Sequence, residues 1–204
     1  MSASKYLFAQ FYDLLNSCVE HKVIPYREQT ASRCVGNTLE IGAGTGANIP
    51  FYKNVTSLSL VEPDKHMRSK LLTKFGSYMD SISLIENVGE HLESDDNSFD
   101  CVCTTLTLCM VKDPQKVISE ICRVLKPGGT FYFYEHVVSK NRTGKQFQNK
   151  LNPFWEFVTT GCNLNRDIVD WLKPDPFTNV SIKEFDLKFP LGISIPNIVG
   201  EATI

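Results

Sequence analysis

Apolar residues fall into two rhythms along this chain. Short, nearly continuous runs, Thr38 to Ile41, Ser57 to Val61, Ser81 to Ile85, Phe99 to Thr104 and Thr130 to Tyr134, read as buried strands. Between them the apolar positions take helical spacing. Pro63-Asp64 opens one such stretch with Met67, Leu71, Leu72 and Phe75 as its buried stripe, and proline suits a first turn. Pro114 to Leu125 is another, with Val117, Ile118, Ile121, Val124 and Leu125 on one face and Lys116 and Glu120 four apart on another. Lys126-Pro127-Gly128-Gly129 stops it before the next strand. Strand and helix alternate from Thr38 to His136, which predicts a mostly parallel sheet with right-handed crossovers.

The flanks differ. From Tyr6 to Val23, the residues Leu7, Phe8, Phe11, Leu14, Leu15, Cys18 and Val19 form the stripe of an amphipathic helix, with Tyr12 and Asp13 off its centre. Tyr12 is a candidate to reach the site. A second helical stretch from Pro25 to about Cys34 leads to the first strand. After His136, Lys140, Arg142, Lys145 and Lys150 occur without an acidic residue, followed by Leu151, Phe154, Trp155, Phe157 and Val158. A basic, then aromatic, helix suits a lid over a substrate pocket or a membrane-surface contact, and the lid is favoured. Gly161 to Asp167 is a turn with Asn165 placed to cap a helix from Arg166 to Leu172. Val180 to Leu187 alternates as a strand, and Ser194 to Thr203 closes the sheet as an antiparallel one. One domain across 1–204 is expected, with 1–35 as a helical cap and 138–175 as a lid or substrate segment.

The chemistry gathers at Leu39-Glu40-Ile41-Gly42-Ala43-Gly44-Thr45-Gly46-Ala47-Asn48. A strand runs into a glycine-rich turn and then a helix, where Gly42 and Gly44 let backbone amides approach a ligand. Twenty positions after Gly42, at the end of the next strand, Glu62 stands where a doubly wound fold places a carboxylate for ribose hydroxyls. Gly42, Gly44 and Ala47 also satisfy the looser dinucleotide pattern, so NAD stays open on the glycines alone. Glu40 shifts the balance. A carboxylate two residues before the first glycine suits a cation and is awkward beside a pyrophosphate. S-adenosylmethionine, with a ribose, an ammonium and a sulfonium but no phosphate, fits.

Composition narrows the partners. At 204 residues and 42% hydrophobic content, the chain can bury one α/β core, and its net charge of −2 gives no global field for nucleic acid. Seven cysteines, none in a C-x-x-C pair, point to free thiols in a reducing compartment rather than disulfides or a zinc site. No metal is expected. With no run long enough to span a membrane and no signal-peptide pattern at Met1 to Lys5, a cytoplasmic protein is expected, with peripheral membrane contact through 140–158 as the open alternative.

Taken together, Leu39 to Gly46, Glu62, Gly89-Glu90 and Val124-Leu125-Lys126-Pro127-Gly128-Gly129 resemble the class I S-adenosylmethionine-dependent methyltransferases. Gly42 to Asn48, Thr104 to Cys109, Phe131 to His136 and Gly161-Cys162-Asn163-Leu164 are similar to the methyltransferase-like-seven group, the alkyl thiol methyltransferases, and their bacterial relatives. The resemblance implies an α/β, Rossmann-like, doubly wound sheet of seven strands. That sheet is mostly parallel, with the last strand antiparallel and helices on both faces. The animal members carry an apolar amino-terminal anchor; no such run occurs here, so their membrane location and thiol substrate transfer less directly.

The expected function is methyl transfer from S-adenosylmethionine to a small apolar acceptor, a thiol favoured. Quinone-like or lipid acceptors, and cofactor binding without turnover, are the alternatives. The cofactor would be held by Glu40, Gly42, Gly44, Gly46, Glu62, Gly89, Glu90, Thr104 and Thr105, with Glu90 at the adenine amino group. His136 at a strand's carboxyl end, beside Glu135, is the candidate base or orienting group. Cys162 and Asn163 are candidates to line the acceptor pocket.

Overall fold

The computed structural model describes residue 6 and residues 20–173, 177–189 and 194–204. The stripe from Leu7 to Val19, with Tyr12, Asp13 and Cys18, lies outside them. Helix α1 occupies 20–29 and passes through Pro25 without a break, so the two expected helices are not divided there. Pro25 and His21 are both exposed, and water can satisfy the carbonyl that proline leaves unbonded. A 3-10 turn at Ala31–Arg33 then delivers strand β1, Val35–Ile41.

The remaining elements are β2 Asn54–Val61, α2 Lys65–Phe75, β3 Ile82–Ile85, β4 Phe99–Thr105, α3 Pro114–Val124, β5 Leu125–His136, α4 Arg142–Val158, α5 Ile168–Trp171, β6 Asn179–Lys188 and β7 Ser194–Thr203. They build a seven-stranded sheet in the order β3-β2-β1-β4-β5-β7-β6. β1 to β5 run parallel, and β7 is antiparallel to both its neighbours, β5 and β6. The strand order reverses between β1 and β4, which leaves a crevice at their carboxyl ends.

Side-chain alternation along the strands divides the core in two. Leu39 and Ile41 of β1, Val102 of β4 and Phe131 and Phe133 of β5 pack against Val117, Ile121 and Val124 of α3 and Ile168 of α5. The opposite face carries Tyr134 under Val23 and Tyr26 of α1, and Leu58 and Leu60 under Leu71 of α2. Asp64 caps α2 by accepting from the His66 and Met67 amides.

Several expectations fail locally. The glycine turn enters no α-helix but a single 3-10 turn, Ile49–Phe51, because the crossover to Asn54 is short and carries Pro50. No helix joins β3 to β4; a loop with a Val88–His91 bridge does, so the alternation is incomplete. Leu72 is exposed, leaving Met67 and Leu71 as the buried stripe of α2. Lys126-Pro127-Gly128-Gly129 ends α3 but already belongs to β5, as an irregularity that shifts the β4–β5 register between Phe99 and Cys101. Asn165 caps nothing: the helix starts at Ile168, after Asp167, and the Asn165 amide donates to Asn149 Oδ1. Among the described residues no helix is long and apolar enough to cross a membrane.

Candidate active site

Two half-sites meet at the carboxyl ends of β1, β2, β4 and β5. In the first, β1 runs into three glycines with positive φ, and their surroundings differ. A side chain on Gly42 would strike Thr107, and one on Gly46 would meet Ile49 and Phe75 at 2.8 and 2.9 Å. At Gly44 nothing lies within 4 Å, so only there does the bare backbone front open space. Its N–H points at Glu62 Oε2, 2.8 Å away, while Glu62 Oε1 accepts from the Asp64 amide at 2.8 Å. The Glu62 carboxylate is buried, which pushes its pKa up against those two bonds, and each oxygen keeps acceptor capacity.

Glu40 is 2% exposed. Its Oε1 accepts from Asn48 Nδ2 at 2.9 Å, and its Oε2 is buried outside hydrogen-bond geometry, with the Tyr52 hydroxyl as its polar neighbour. Burial raises its pKa to about 7, against the pull of Tyr52, Asn48 and Arg27. Arg27, itself buried, donates to Asn48 Oδ1 and pairs with Glu20 at 3.1 Å. Asn48 also donates to Thr105 Oγ1 at 3.0 Å, tying the glycine loop to the end of β4. An orphaned buried carboxylate oxygen beside a ring-ready carboxylate and an open glycine backbone fits S-adenosylmethionine: ammonium at Glu40, ribose at Glu62. Arg27 and Tyr52 escaped sequence reasoning, and Asn48, though it ends the glycine stretch, was given no role there, since nothing in the spacing joins these side chains to Glu40.

Other cofactor candidates divide. Thr104 is fully buried and its hydroxyl has no partner. Gly89 is a packing position, where an added Cβ would stand 2.8 Å from Ile41 Cγ2. Glu90 Oε1 accepts from the Lys112 and Asp113 amides at 2.7 and 3.2 Å, which holds the loop entering α3.

The second half-site begins where β4 ends. Leu106 has φ +54, a strained value for a branched side chain, and its N–H bonds to Tyr134 O. Glu135, fully buried, accepts the Thr107 and Leu108 amides at 2.9 and 3.0 Å, so it supports this turn from beneath. Burial raises its pKa to about 7 against those bonds. One residue on, His136 faces the other side of the sheet, and its Nε2 lies 3.0 Å from Cys162 Sγ. Cys162 Sγ lies 3.7 Å from Cys109 Sγ. The three ligand atoms are within 4.8 Å of one another, and all three residues are buried.

This corner is electrostatically polarised. The neighbouring Cys109 and His136 hold the Cys162 thiol down to about 4 despite burial, while Cys109 is pushed well up. Burial pulls His136 down, but its contact with Cys162 outweighs that and raises its pKa. Asn163 is a brace: its amide donates to Cys109 O at 2.9 Å and its Oδ1 accepts from Asn152 at 3.0 Å. Cys109 was missed because it stands in an ordinary apolar run, far in sequence from Cys162.

Helix α4 overlies this region with its polar side inward. Gln148 bonds to Ser139 N, Val137 O and Leu164 O, and Asn152 accepts from Leu164 N. Its three phenylalanines face out, Phe157 81% and Phe154 and Phe147 each 65% exposed, while Trp155 is half-buried with its indole nitrogen turned inward.

Residues 39–133 match the methyltransferase domain family. The chain is similar to thiol S-methyltransferase TMT1A of Homo sapiens, 33% identical over 168 residues that cover 80% of this chain and 69% of that one. It is 36% identical to thiol S-methyltransferase TMT1B of Rattus norvegicus over 174 residues, with the same coverage. Among solved structures, a SAM-dependent methyltransferase of Thermotoga maritima, described as a possible histamine N-methyltransferase, superposes with a TM-score of 0.67 at 21% identity, covering 98% of this chain and 99% of that one.

Proposed function

The chain belongs to the family of the thiol S-methyltransferases and is a class I S-adenosylmethionine-dependent methyltransferase; from that premise we propose that its acceptor is a small apolar thiol, received at the corner of Cys109, His136 and Cys162. The 3.0 Å contact of His136 Nε2 with Cys162 Sγ carries this reading. It sets a polarised thiol–imidazole pair in a buried place, beside which an acceptor's sulfur would be the third.

When bound, S-adenosylmethionine supplies an electrophilic methyl group on a sulfonium, so the protein has to orient the acceptor and deprotonate it. Glu62 holds the ribose hydroxyls, Glu40 the ammonium, and Gly42, Gly44 and Gly46 the path of the backbone beneath. Glu90, through the oxygen its loop amides leave free, would face the adenine, with Gly89 packed behind it and Thr104 and Thr105 closing the end of β4 beneath. A free thiol has a pKa of about 8.5 and is only a few per cent thiolate at neutral pH. His136 is the group that would orient the acceptor or receive its proton, Glu135 holds the turn at Thr107 and Leu108, and Asn163 braces the turn that carries Cys162.

The test is transfer of labelled methyl from S-adenosylmethionine to a small alkyl thiol by wild type, Glu62→Ala and His136→Ala. Transfer by wild type that is lost in the first variant and reduced in the second supports the reading. Cofactor binding by calorimetry without any thiol methylation would move the acceptor to the lipid or quinone class, or leave a cofactor-binding role without turnover.

A second reading concerns location. The outward aromatic face of α4, with Arg142, Lys145 and Lys150 exposed on the same helix, favours peripheral contact with an anionic membrane over closure as a lid, since a lid would turn Phe154 and Phe157 inward. Co-sedimentation with anionic vesicles tests it, and protein left in the supernatant would count for the lid. The cytoplasmic face of such a membrane is the location this reading favours.

A further inference from the structure

We infer that Cys109, His136 and Cys162 bind one zinc-class divalent cation and leave its fourth position to the acceptor thiol. The second clause rests on the thiol reading above; the first does not. The donor set is two thiols and an imidazole, gathered from the turn after β4, the end of β5 and the turn after α4. Two cysteines and one histidine make a set found in open catalytic zinc sites, where three protein ligands leave a place for substrate.

All three donor atoms lie within 4.8 Å of one another, and the two sulfurs already stand at the separation that chemistry asks. Two sulfurs on a tetrahedral zinc, each bonded at about 2.3 Å, stand about 3.8 Å apart; Cys109 Sγ and Cys162 Sγ are 3.7 Å apart. A nitrogen and a sulfur on the same ion stand about 3.5 Å apart, so the 3.0 Å contact of His136 with Cys162 has to open by about half an ångström. Joining the sulfurs as a disulfide would instead require closure to about 2.05 Å.

Charge points the same way. Two thiolates cancel a divalent charge, as a buried site demands, and the imidazole adds none. An acceptor thiolate would bring one net negative charge, opposite Arg166, which lies close enough to Cys109 and Cys162 to interact with both. Binding of the acceptor releases its S–H proton to solvent while a sulfur lone pair becomes the fourth coordinate bond.

The experiment is an anaerobic titration of reduced, metal-free protein with cobalt(II), read by absorption. The expected result is a thiolate-to-cobalt charge-transfer band that saturates at one equivalent, is displaced by zinc, and strengthens when a small alkyl thiol is added. Cys109→Ser and Cys162→Ser should each weaken cobalt binding beyond the roughly 10–100-fold that an outer-sphere partner is worth. Melting temperature and cofactor calorimetry of both variants show that they are folded. No saturable band, or a band of equal affinity in Cys162→Ser, overturns the site. A band that ignores added thiol overturns the fourth-ligand clause, as does full-rate thiol methylation by chelator-treated protein. Failure of the thiol reading has a separate signature: cobalt binding intact, with no methyl transfer to thiols by metal-loaded or metal-free protein.

Discussion

Glu40 is buried with one oxygen unpartnered, so its charge is costly until a cation arrives. Its pKa, raised to about 7, lies above the unfolded value of 4.5. The folded, cofactor-free protein therefore holds this proton more tightly than the unfolded chain does. The associated stability is fully present below about pH 4.5 and is lost as pH rises through about 7, a change of roughly 3 kcal/mol. Glu40→Gln should remove that loss, so the variant's gain in melting temperature over wild type is larger at pH 8 than at pH 5. An equal gap at both pH values refutes the argument. The same variant should bind S-adenosylmethionine more weakly at pH 8. Glu62→Ala should lower cofactor affinity by about two orders of magnitude or more, since two charge-assisted hydrogen bonds at about 1.5–3 kcal/mol each are lost; calorimetry reads it. Both carboxylates were legible, because offsets from a glycine loop are local in sequence. Arg27 and Asn48 were not, because they meet only once α1 has folded against the glycine loop, and the Cys109–His136–Cys162 corner was not, because it forms only once the sheet has brought the ends of β4 and β5 to the turn after α4.

At the scale of elements, apolar runs marked the five parallel strands and alternation marked β6, whose one face stays exposed, with β7 read as the strand that closes the sheet. Connections were read less well. A strand–glycine–helix pattern predicted a helix after β1, but the short return to β2 admits one 3-10 turn. Gly89 likewise resembled a ligand contact and is a packing site between β1 and α3. Gly89→Ala should cost about 1–3 kcal/mol by overpacking against Ile41, with a melting temperature several degrees lower and cofactor affinity nearly unchanged. A large loss of affinity at constant stability would restore the ligand role. In α4 the apolar residues divide: Phe147, Phe154, Phe157 and Val158 are exposed, while Leu151 and Trp155 are half-buried. Phe157→Glu should leave stability within about 0.5 kcal/mol of wild type while reducing sedimentation with anionic vesicles. Unchanged sedimentation would exclude this face as the contact.

For the whole molecule, the cofactor half-site draws together the ends of β1, β2 and β4, so ligand binding should stabilise the entire domain. At a hundred times its dissociation constant, S-adenosylmethionine should add about 2.7 kcal/mol, a rise of roughly 5–10 °C for a domain of this size. A melt indifferent to the cofactor would contradict the site. The order β5-β7-β6 has a further consequence, for synthesis on the ribosome. β7 lies between two strands that are both made before it, so β5 keeps an unpaired edge and β6 has no place in the sheet until β7 emerges. During that interval the edge of Phe131-Tyr132-Phe133-Tyr134 is open to other chains. The nascent protein is therefore most in need of a chaperone late in translation, when its cofactor loop and most of its core have already been made.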